Sequence, residues 1–472
     1  MNIHYFTKKG ILAGFFMFFA MVFSAVSIAQ TAPALQELKS APEEIDAYSE
    51  EAFRKWLADF KVRAVKKYKI REATVNEAFK DIKYNPKIIL SDRKQPEFMK
   101  TFWKYTDTAL RPDRIANGKI MIKRYRTLLK NVSEKYGVPP QILVAFWGLE
   151  TNYGEIMGDA DVIEALTTLA FDPRRSEFFT TELVKALRIL DAGYMTRRML
   201  KGSWAGAFGN FQFLPSTFER YAIDGNNDGR KNITGDIVDA MHSAANYLSK
   251  MGWDKSIKWG IPVIVKHDNK EAWKLVNSGE WHPQSYFAKL GITTLDEKPL
   301  PSKDTNANLV APNGVEGPTF LVYNNFKYIM NWNASTNYAL SVGLLSDAIM
   351  SHSVPLFDRP DDWDKRPVMT TNQIKKIQEY LSSLGIYNAK ISGLYGKKTM
   401  TAIKKYQQLL LDGDKLVSKD EKEITTYPSG NPIITDGYPS FDLYEIMFGS
   451  KEEEVYNSNT KTPSSKEQEN SN

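Results

Sequence analysis

The run "AFWGLETNYG" at residues 145–154 places a carboxylate, Glu150, at the end of an apolar stretch. A charge in such surroundings is costly unless it is paired, neutralised or used. Pro139 and Pro140 predict the start of a helix, where their missing amide donors do no harm, and Gly154 offers its end. Ile142, Leu143, Val144, Ala145, Phe146, Trp147 and Leu149 leave that helix no polar face, so it reads as buried all round, with Glu150 in its last turn. Desolvation and the partial negative charge of a helix C-terminus both favour the protonated acid, the form able to protonate a leaving oxygen. The same residue could instead be structural, paired with an arginine such as Arg174 or Arg175, or lie at the helix surface.

A second stretch, "KGSWAGAFGNFQFLPSTFERYA" at 201–222, interleaves glycine and alanine with Ser203, Trp204, Phe208, Phe211, Gln212 and Phe213. Small residues let a ligand approach the backbone, while aromatic faces with a Ser and a Gln suit a sugar ring. Tight helix packing would give a similar pattern. A third stretch, "DGNNDGRKNITGDIVD" at 224–239, sets Asp224, Asn226 and Asp228 at the one, three, five spacing of an EF-hand loop. Gly229 follows at the sixth position, and Gly235 stands where the usual bidentate Glu would be. Arg230 could offer only its carbonyl, and an Asx-rich turn without metal is the plainer alternative.

The elements that must position these residues are mostly helices. "EEAFRKWLADFKVRAVKKY", "IMIKRYRTLLKNVSEKYG" and "TTELVKALRILDAGYM" carry apolar residues at three- and four-residue spacing. Residues 257–325 change character: "IPVIVKH", "EKPLPSK", "ANLVAPNG" and "TFLVYNN" predict short strands and turns, before helix resumes at "YALSVGLLSDAIM". A polar, proline-containing linker at 357–367 leads to a small helix–turn–helix unit from 368, and the tail 449–472 has the composition of disorder.

At 472 residues, 42% hydrophobic and 25% charged, the chain has ordinary globular composition. Its 62 basic residues against 56 acidic ones give a mixed surface that implies no nucleic-acid partner. The absence of cysteine excludes thiol nucleophiles, Cys-ligated zinc and a cysteine-borne lipid anchor, and five histidines without HExxH argue against a zinc hydrolase. Lys8 and Lys9, the apolar run from Ile11 and the small residues Ser27 to Ala29 predict a signal peptide over 1–29, cleaved before Gln30, with a retained anchor as the alternative. The expected location is the periplasm, soluble after processing.

Together, "YGVPPQILVAFWGLETNYG", "LTTLAFDPRRSEFF", "GSWAGAFGNFQFLPSTF" and "AANYLSKMGW", within a span from residue 95 to 342, closely resemble the membrane-bound B type of lytic murein transglycosylases, glycoside hydrolase family 103. The resemblance implies a mainly α fold: a lysozyme-like helical core with a helical extension and a small β-containing insertion, over 30–356. It implies cleavage of the β-1,4 bond between N-acetylmuramic acid and N-acetylglucosamine in peptidoglycan glycan strands, leaving a 1,6-anhydromuramoyl end. By the same resemblance Glu150 is the sole catalytic acid, and Tyr105, Ser203, Gln212, Asn246 and Tyr247 fall at positions that contact glycan.

The family's calcium loop ends in a late Asp, for which Asp239 is the matching residue, so a structural calcium ion is expected and no cofactor for the chemistry. Residues 368–448 resemble a three-helix peptidoglycan-binding domain through Ile377, Gln378, Leu381, Leu384, Gly385 and "GLYGKKTMTAIKKYQ", although Ser392-Gly393 stands where that family has Asp-Gly. "ITDGYPSFDLYEIMFG" reads as a closing segment that folds back. Cell-wall synthesis or envelope-assembly proteins are conceivable further partners. A true muramidase and a catalytically inactive wall-binding scaffold stay open as alternatives, separable by their products.

Overall fold

A computed structural model describes residues 49–93, 101–351, 357, 359, 363–364, 368–417 and 422–449. The signal segment, the tail beyond Gly449 and most of the linker lie outside the described residues. The chain divides into two compact units: residues 1–93, 106–259 and 324–355 form one, and 94–105, 260–323 and 356–472 form the other.

In the first unit, α1 (Glu50–Lys66) begins at Ser49, whose hydroxyl accepts from the Ala52 amide. It packs on α2 (Glu72–Ala78) and carries Phe53 edge-on to Phe171. Then come α3 (Pro86–Arg93), α4 (Phe102–Ala109), which passes from the second unit into the first, α5 (Pro112–Arg124), α6 (Arg126–Tyr136) and α7 (Pro140–Thr151). A two-strand ladder follows, β1 (Ala160–Asp161) antiparallel to β2 (Lys201–Gly202), with α8 (Val162–Phe171) and α9 (Ser176–Asp191) packed together between them in sequence. A Cβ on Gly202 would lie 2.0 Å from the Ala207 carbonyl oxygen, so only glycine lets the chain fold back so closely here. Next are α10 (Pro215–Tyr221) and α11 (Ile237–Met251).

The helix read from "PPQILVAFWGLET" is α7, and it forms the centre of this unit. Its neighbours are α5, α6, α11 and, after the second unit's sheet in sequence, α15 (Thr336–Met350), which follows α14 (Asn324–Trp332). Eight of its residues, from Ile142 to Thr151, are buried. The helix ends earlier than Gly154 would place it: Asn152 takes the left-handed conformation at φ 49°, a role Asn tolerates because its short polar side chain bonds locally. Tyr153 follows at φ 62° and hooks back beneath the helix, where its hydroxyl donates to the Arg114 carbonyl at 2.7 Å. A Cβ at Gly148 would stand 2.7 Å from that tyrosine ring, so the glycine makes room for the hook.

The second unit contains the expected β structure as one antiparallel five-stranded sheet, order β4-β6-β7-β3-β5. Its strands are β3 (Gly260–Ile264), β4 (His282–Pro283), β5 (Thr293–Thr294), β6 (Asn306–Val310) and β7 (Thr319–Tyr323), with Leu309 opposite Leu321 and Val263 opposite Thr319. Every residue of β7 is buried, as its unbroken apolar run requires. Two short helices, α12 (Lys270–Leu275) and α13 (Gln284–Lys289), occur in a region expected to hold short strands and turns, and "EKPLPSK" forms no strand.

In the same unit α16 (Thr371–Ser383), α17 (Lys397–Leu411) and α18 (Phe441–Phe448) share a core of Ile374, Ile377, Leu381, Tyr406, Leu410 and Leu443. Thr370 and Gln373 make a reciprocal capping box at the start of α16. Buried Gln378 holds the Ser392-Gly393 turn: its Oε1 accepts from both amides and its Nε2 donates to Leu394 O and Thr399 Oγ1.

This helical domain is joined to the sheet by polar bonds within the unit. Lys404 Nζ on α17 donates to the carbonyls of Trp273 at 3.1 Å and Lys274 at 2.9 Å, and to that of Val276, at the C-terminal end of α12. Asp436 accepts from Gln407 Nε2 at 2.9 Å, the Tyr438 amide at 2.9 Å and the Val315 amide at 3.1 Å. Burial pushes the Lys404 ammonium down to about 8, while Asp436 and Glu280 pull it up.

Candidate active site

Glu150 stands in the last turn of α7 and retains partial exposure. Its Oε1 accepts two hydrogen bonds, from Trp332 Nε1 at 3.0 Å and from the Tyr338 hydroxyl. Burial pushes the carboxyl from 4.5 up to about 7, and the bonds from Tyr338 and Trp332 act against that rise by favouring the carboxylate.

Neither Arg174 nor Arg175 pairs with this carboxylate. Arg174 pairs with Asp92 at 2.7 Å, Arg175 lies 3.9 Å from the same carboxylate, and the Arg175 guanidinium covers the Phe178 and Phe179 rings.

Trp332 closes α14 and is fixed on several sides by aromatic rings. Its centroid lies 4.5 Å from Phe146, 4.8 Å from Tyr247 and 5.4 Å from Phe213. Tyr338 enters from the first turn of α15, whose N-cap Ser335 accepts from the Tyr338 amide. Periodicity does not single out either residue, because each lies more than 180 positions from Glu150 in the chain, at separations of 182 and 188. Both residues fall within the span from residue 95 to 342 that carries the family resemblance.

Asn210 ties the aromatic-glycine loop to α7. Its Oδ1 accepts from Trp147 Nε1 at 2.9 Å, its carbonyl from Thr151 Oγ1 at 2.8 Å, and its Nδ2 donates to the carbonyls of Ile233 and Thr234. On that loop Gln212 adopts φ 49°, an uncommon conformation for this residue type, and donates through Nε2 to Met157 O and Gly209 O at 3.0 Å each. Ser203 Oγ accepts from the Ala207 amide at 3.1 Å, which leaves the hydroxyl proton to donate elsewhere. From α11, Tyr247 joins the Trp332 cluster and Asn246 Nδ2 donates to Tyr221 O at 2.9 Å. Gln212, Ser203, Asn246 and Tyr247 therefore belong to the same unit as Glu150, whereas Tyr105, buried on α4, belongs to the second unit.

The acids nearest Glu150 in sequence are committed elsewhere or open to water. Asp161 caps α8 and pairs with Arg197 at 3.0 Å, Glu155 accepts from Asn152, and Asp159 is exposed.

The loop 224–239 makes the sharp turn its spacing predicts, with Gly229 at φ 84°. Its oxygens close on the loop's own amides: Asp224 accepts from Asp228 N and Gly229 N, Asn226 from Asp228 N, Asp228 from Arg230 N. Asp239 accepts from Gly225 N and Asn232 N at 2.7 Å each. Among the described residues no group of three or more His, Cys, Asp or Glu side chains is placed to hold a metal ion. The turn is thus closed through its own amides.

Comparison with known proteins places this geometry in context. Residues 52–347 match the family described as the transglycosylase SLT domain, and residues 370–410 match a peptidoglycan binding domain. The chain is 36% identical over 248 residues to membrane-bound lytic murein transglycosylase B of Escherichia coli K12, a match covering 52% of this chain and 66% of that protein. It is similar in structure to SltB3 from Pseudomonas aeruginosa in complex with NAG-NAM-pentapeptide, with TM-score 0.72 and 33% identity over 84% of this chain and 99% of the other. It is also similar to the E. coli lytic transglycosylase Slt35 in complex with calcium, with TM-score 0.53 and 30% identity over 62% and 92% of the two chains. A carboxyl at the end of an apolar helix, an aromatic cluster around it and a family match over most of the helical unit lead to one conclusion: the chain belongs to the transglycosylase SLT domain family.

Proposed function

We propose that the protein is a lytic transglycosylase of peptidoglycan, cleaving the β-1,4 bond between N-acetylmuramic acid and N-acetylglucosamine and leaving a 1,6-anhydromuramoyl end. The observation that carries this reading is Glu150: a carboxyl held near pKa 7 by burial, with neutral donors on one oxygen and no ion pair among the described residues. Retaining and inverting hydrolases generally use two carboxylates. The engagement of Asp161 and Glu155 and the exposure of Asp159 favour a reaction run by one acid.

Such a reaction needs the substrate's own nucleophile. Protonated Glu150 gives its proton to the glycosidic oxygen as the bond to muramoyl C1 breaks. The resulting carboxylate then takes the proton of the muramoyl 6-hydroxyl as O6 bonds to C1, so Glu150 ends protonated and no water is consumed. Holding O6 against C1 is a proximity effect. Ser203, Gln212, Asn246, Tyr247 and Tyr105 are the proposed glycan contacts; the unusual backbone of Gln212 and the place of Tyr247 beside Trp332 support two of them. Release of anhydromuropeptides from purified sacculi tests the reading: reducing muramic acid ends would mark a muramidase, and intact sacculi a binding scaffold.

The C-terminal helical domain is proposed to hold the enzyme on murein, since tethering raises the local glycan concentration. A chain ending at Arg366 is expected to pellet less with sacculi while still cutting soluble glycan strands. Pelleting equal to that of the full chain would reject this role. The residues read as a targeting signal, 1–29, favour action in the periplasm; among the described residues no helix is long and apolar enough to cross a membrane.

Calcium at 224–239 is proposed as a stabiliser rather than a requirement, because the turn is already closed by its amides. Each carboxylate oxygen keeps a second lone pair for a cation. Added calcium is expected to raise the melting temperature of the parent and not of Asp228→Ala. Identical melting of both proteins with and without calcium would leave the segment a turn alone.

A further inference from the structure

We propose that Trp332 and Tyr338 are positioning residues that assign the catalytic proton to one oxygen of Glu150. Both donate to Oε1: the indole N–H can only donate, and the Tyr338 hydroxyl spends its single proton there. With two donors already on Oε1, a proton on that oxygen would face two hydrogens, so the protonated acid carries its hydrogen on Oε2. This inference rests on Glu150 acting as acid and base, and adds which atom does so. Oε2–H breaks as the proton passes to the glycosidic oxygen, whose bond to C1 breaks with the electron pair leaving on that oxygen. O6–H then breaks, O6 bonds to C1, and the hydrogen returns to Oε2. Oε1 keeps its two donors throughout and needs no reorganisation as the charge appears, the condition under which fixed dipoles stabilise a developing anion best.

The geometry holds both donors still. Trp332 cannot turn its N–H away without displacing rings within 4.5–5.4 Å, those of Phe146, Tyr247 and Phe213. Tyr338 is buried, with its ring 6.2 Å from Phe146. Several charged groups on elements packed against α7 have partners of their own. Arg114 of α5 donates to the carbonyls of Thr108 and Ala109, Lys130 and Glu134 of α6 face each other, and Lys135 lies over Tyr136. On α11, Asp239 accepts the amides of Gly225 and Asn232, and His242 meets Tyr136; on α15, Asp347 accepts from Trp259. Control of the Glu150 charge therefore falls to burial and these two donors.

The test is the pH dependence of anhydromuropeptide release by the parent, Tyr338→Phe and Trp332→Phe. Removing either donor destabilises the carboxylate, so the acid stays protonated to higher pH. The alkaline limb of the profile is expected to move up by about one pH unit in each variant while the maximal rate falls, because the carboxylate formed after the first step has lost a fixed donor. Tyr338→Phe removes only a hydroxyl and keeps the ring, so it serves even where Trp332→Phe loosens the cluster. Variants whose rates drop with the alkaline limb at the parent's position would overturn the assignment and leave both residues as packing. Failure of the underlying reading looks different, because the parent itself would then release no anhydro products.

Discussion

Glu150→Gln is expected to abolish release of anhydromuropeptides, a loss of at least about a hundredfold to ten-thousandfold, while the fold is kept. Gln is nearly isosteric, and its carbonyl oxygen can still accept from Trp332 and Tyr338. What it lacks is the transferable proton. The stability of the variant gives an independent reading with a definite sign. The native carboxyl sits at about 7 against an ordinary 4.5, so between those values the folded chain holds a proton that the unfolded chain has released. Stability from this group is therefore full below 4.5, falls as pH rises through 7, and then levels off. The whole span is at most roughly 3 kcal/mol. Gln has no such loss, so the melting temperature of the variant relative to the parent should be higher at pH 8 than at pH 4.5. A variant that melts well below the parent at pH 8 would mark Glu150 as a structural partner instead.

Lys404→Ala is expected to loosen the C-terminal helical domain from the sheet and to lower the stability of the second unit by roughly 2–4 kcal/mol. The ammonium closes three carbonyls at the end of α12, and its removal leaves them without that donor. It also removes the cation that favours ionisation of buried Asp436, whose carboxyl burial already pushes up. Thermal unfolding followed by limited proteolysis should show an early transition with cleavage inside residues 368–449. Parent-like melting with no new cleavage would show that Lys404 joins nothing. Lys404→Arg separates charge from shape, because a planar guanidinium cannot reproduce the compact ammonium among three carbonyls and should recover only part of the loss.

These two residues also mark how far sequence reading reaches. Glu150 was legible because an all-apolar helix ending in a carboxylate is locally inconsistent, and local inconsistency tends to mark function. Helix α7, the strand runs of β3, β6 and β7 and helices α16 and α17 of the C-terminal domain followed from periodicity and turn chemistry, which act over a few residues, whereas α18 lies in a segment read only as a closing one. Trp332 and Tyr338 did not, since their role depends on a tertiary approach across more than 180 residues and an aromatic at helical spacing reads as core. Lys404 likewise sits among the lysines of "KKTMTAIKKYQ", and only packing shows that this one caps another helix. The acidic loop was legible as a turn, but the competition between amides and a cation for its oxygens is decided by geometry that spacing does not encode.

The central claim, one carboxyl working with the substrate's own hydroxyl, is tested most directly by digesting sacculi in water enriched in heavy oxygen and reading the muropeptides by mass spectrometry. The parent is expected to release products one water lighter than the reducing forms, with no heavy oxygen at C1, and Glu150→Gln is expected to release none. Reducing muramic acid ends carrying the heavy label at C1 would show that water attacks, and would contradict it.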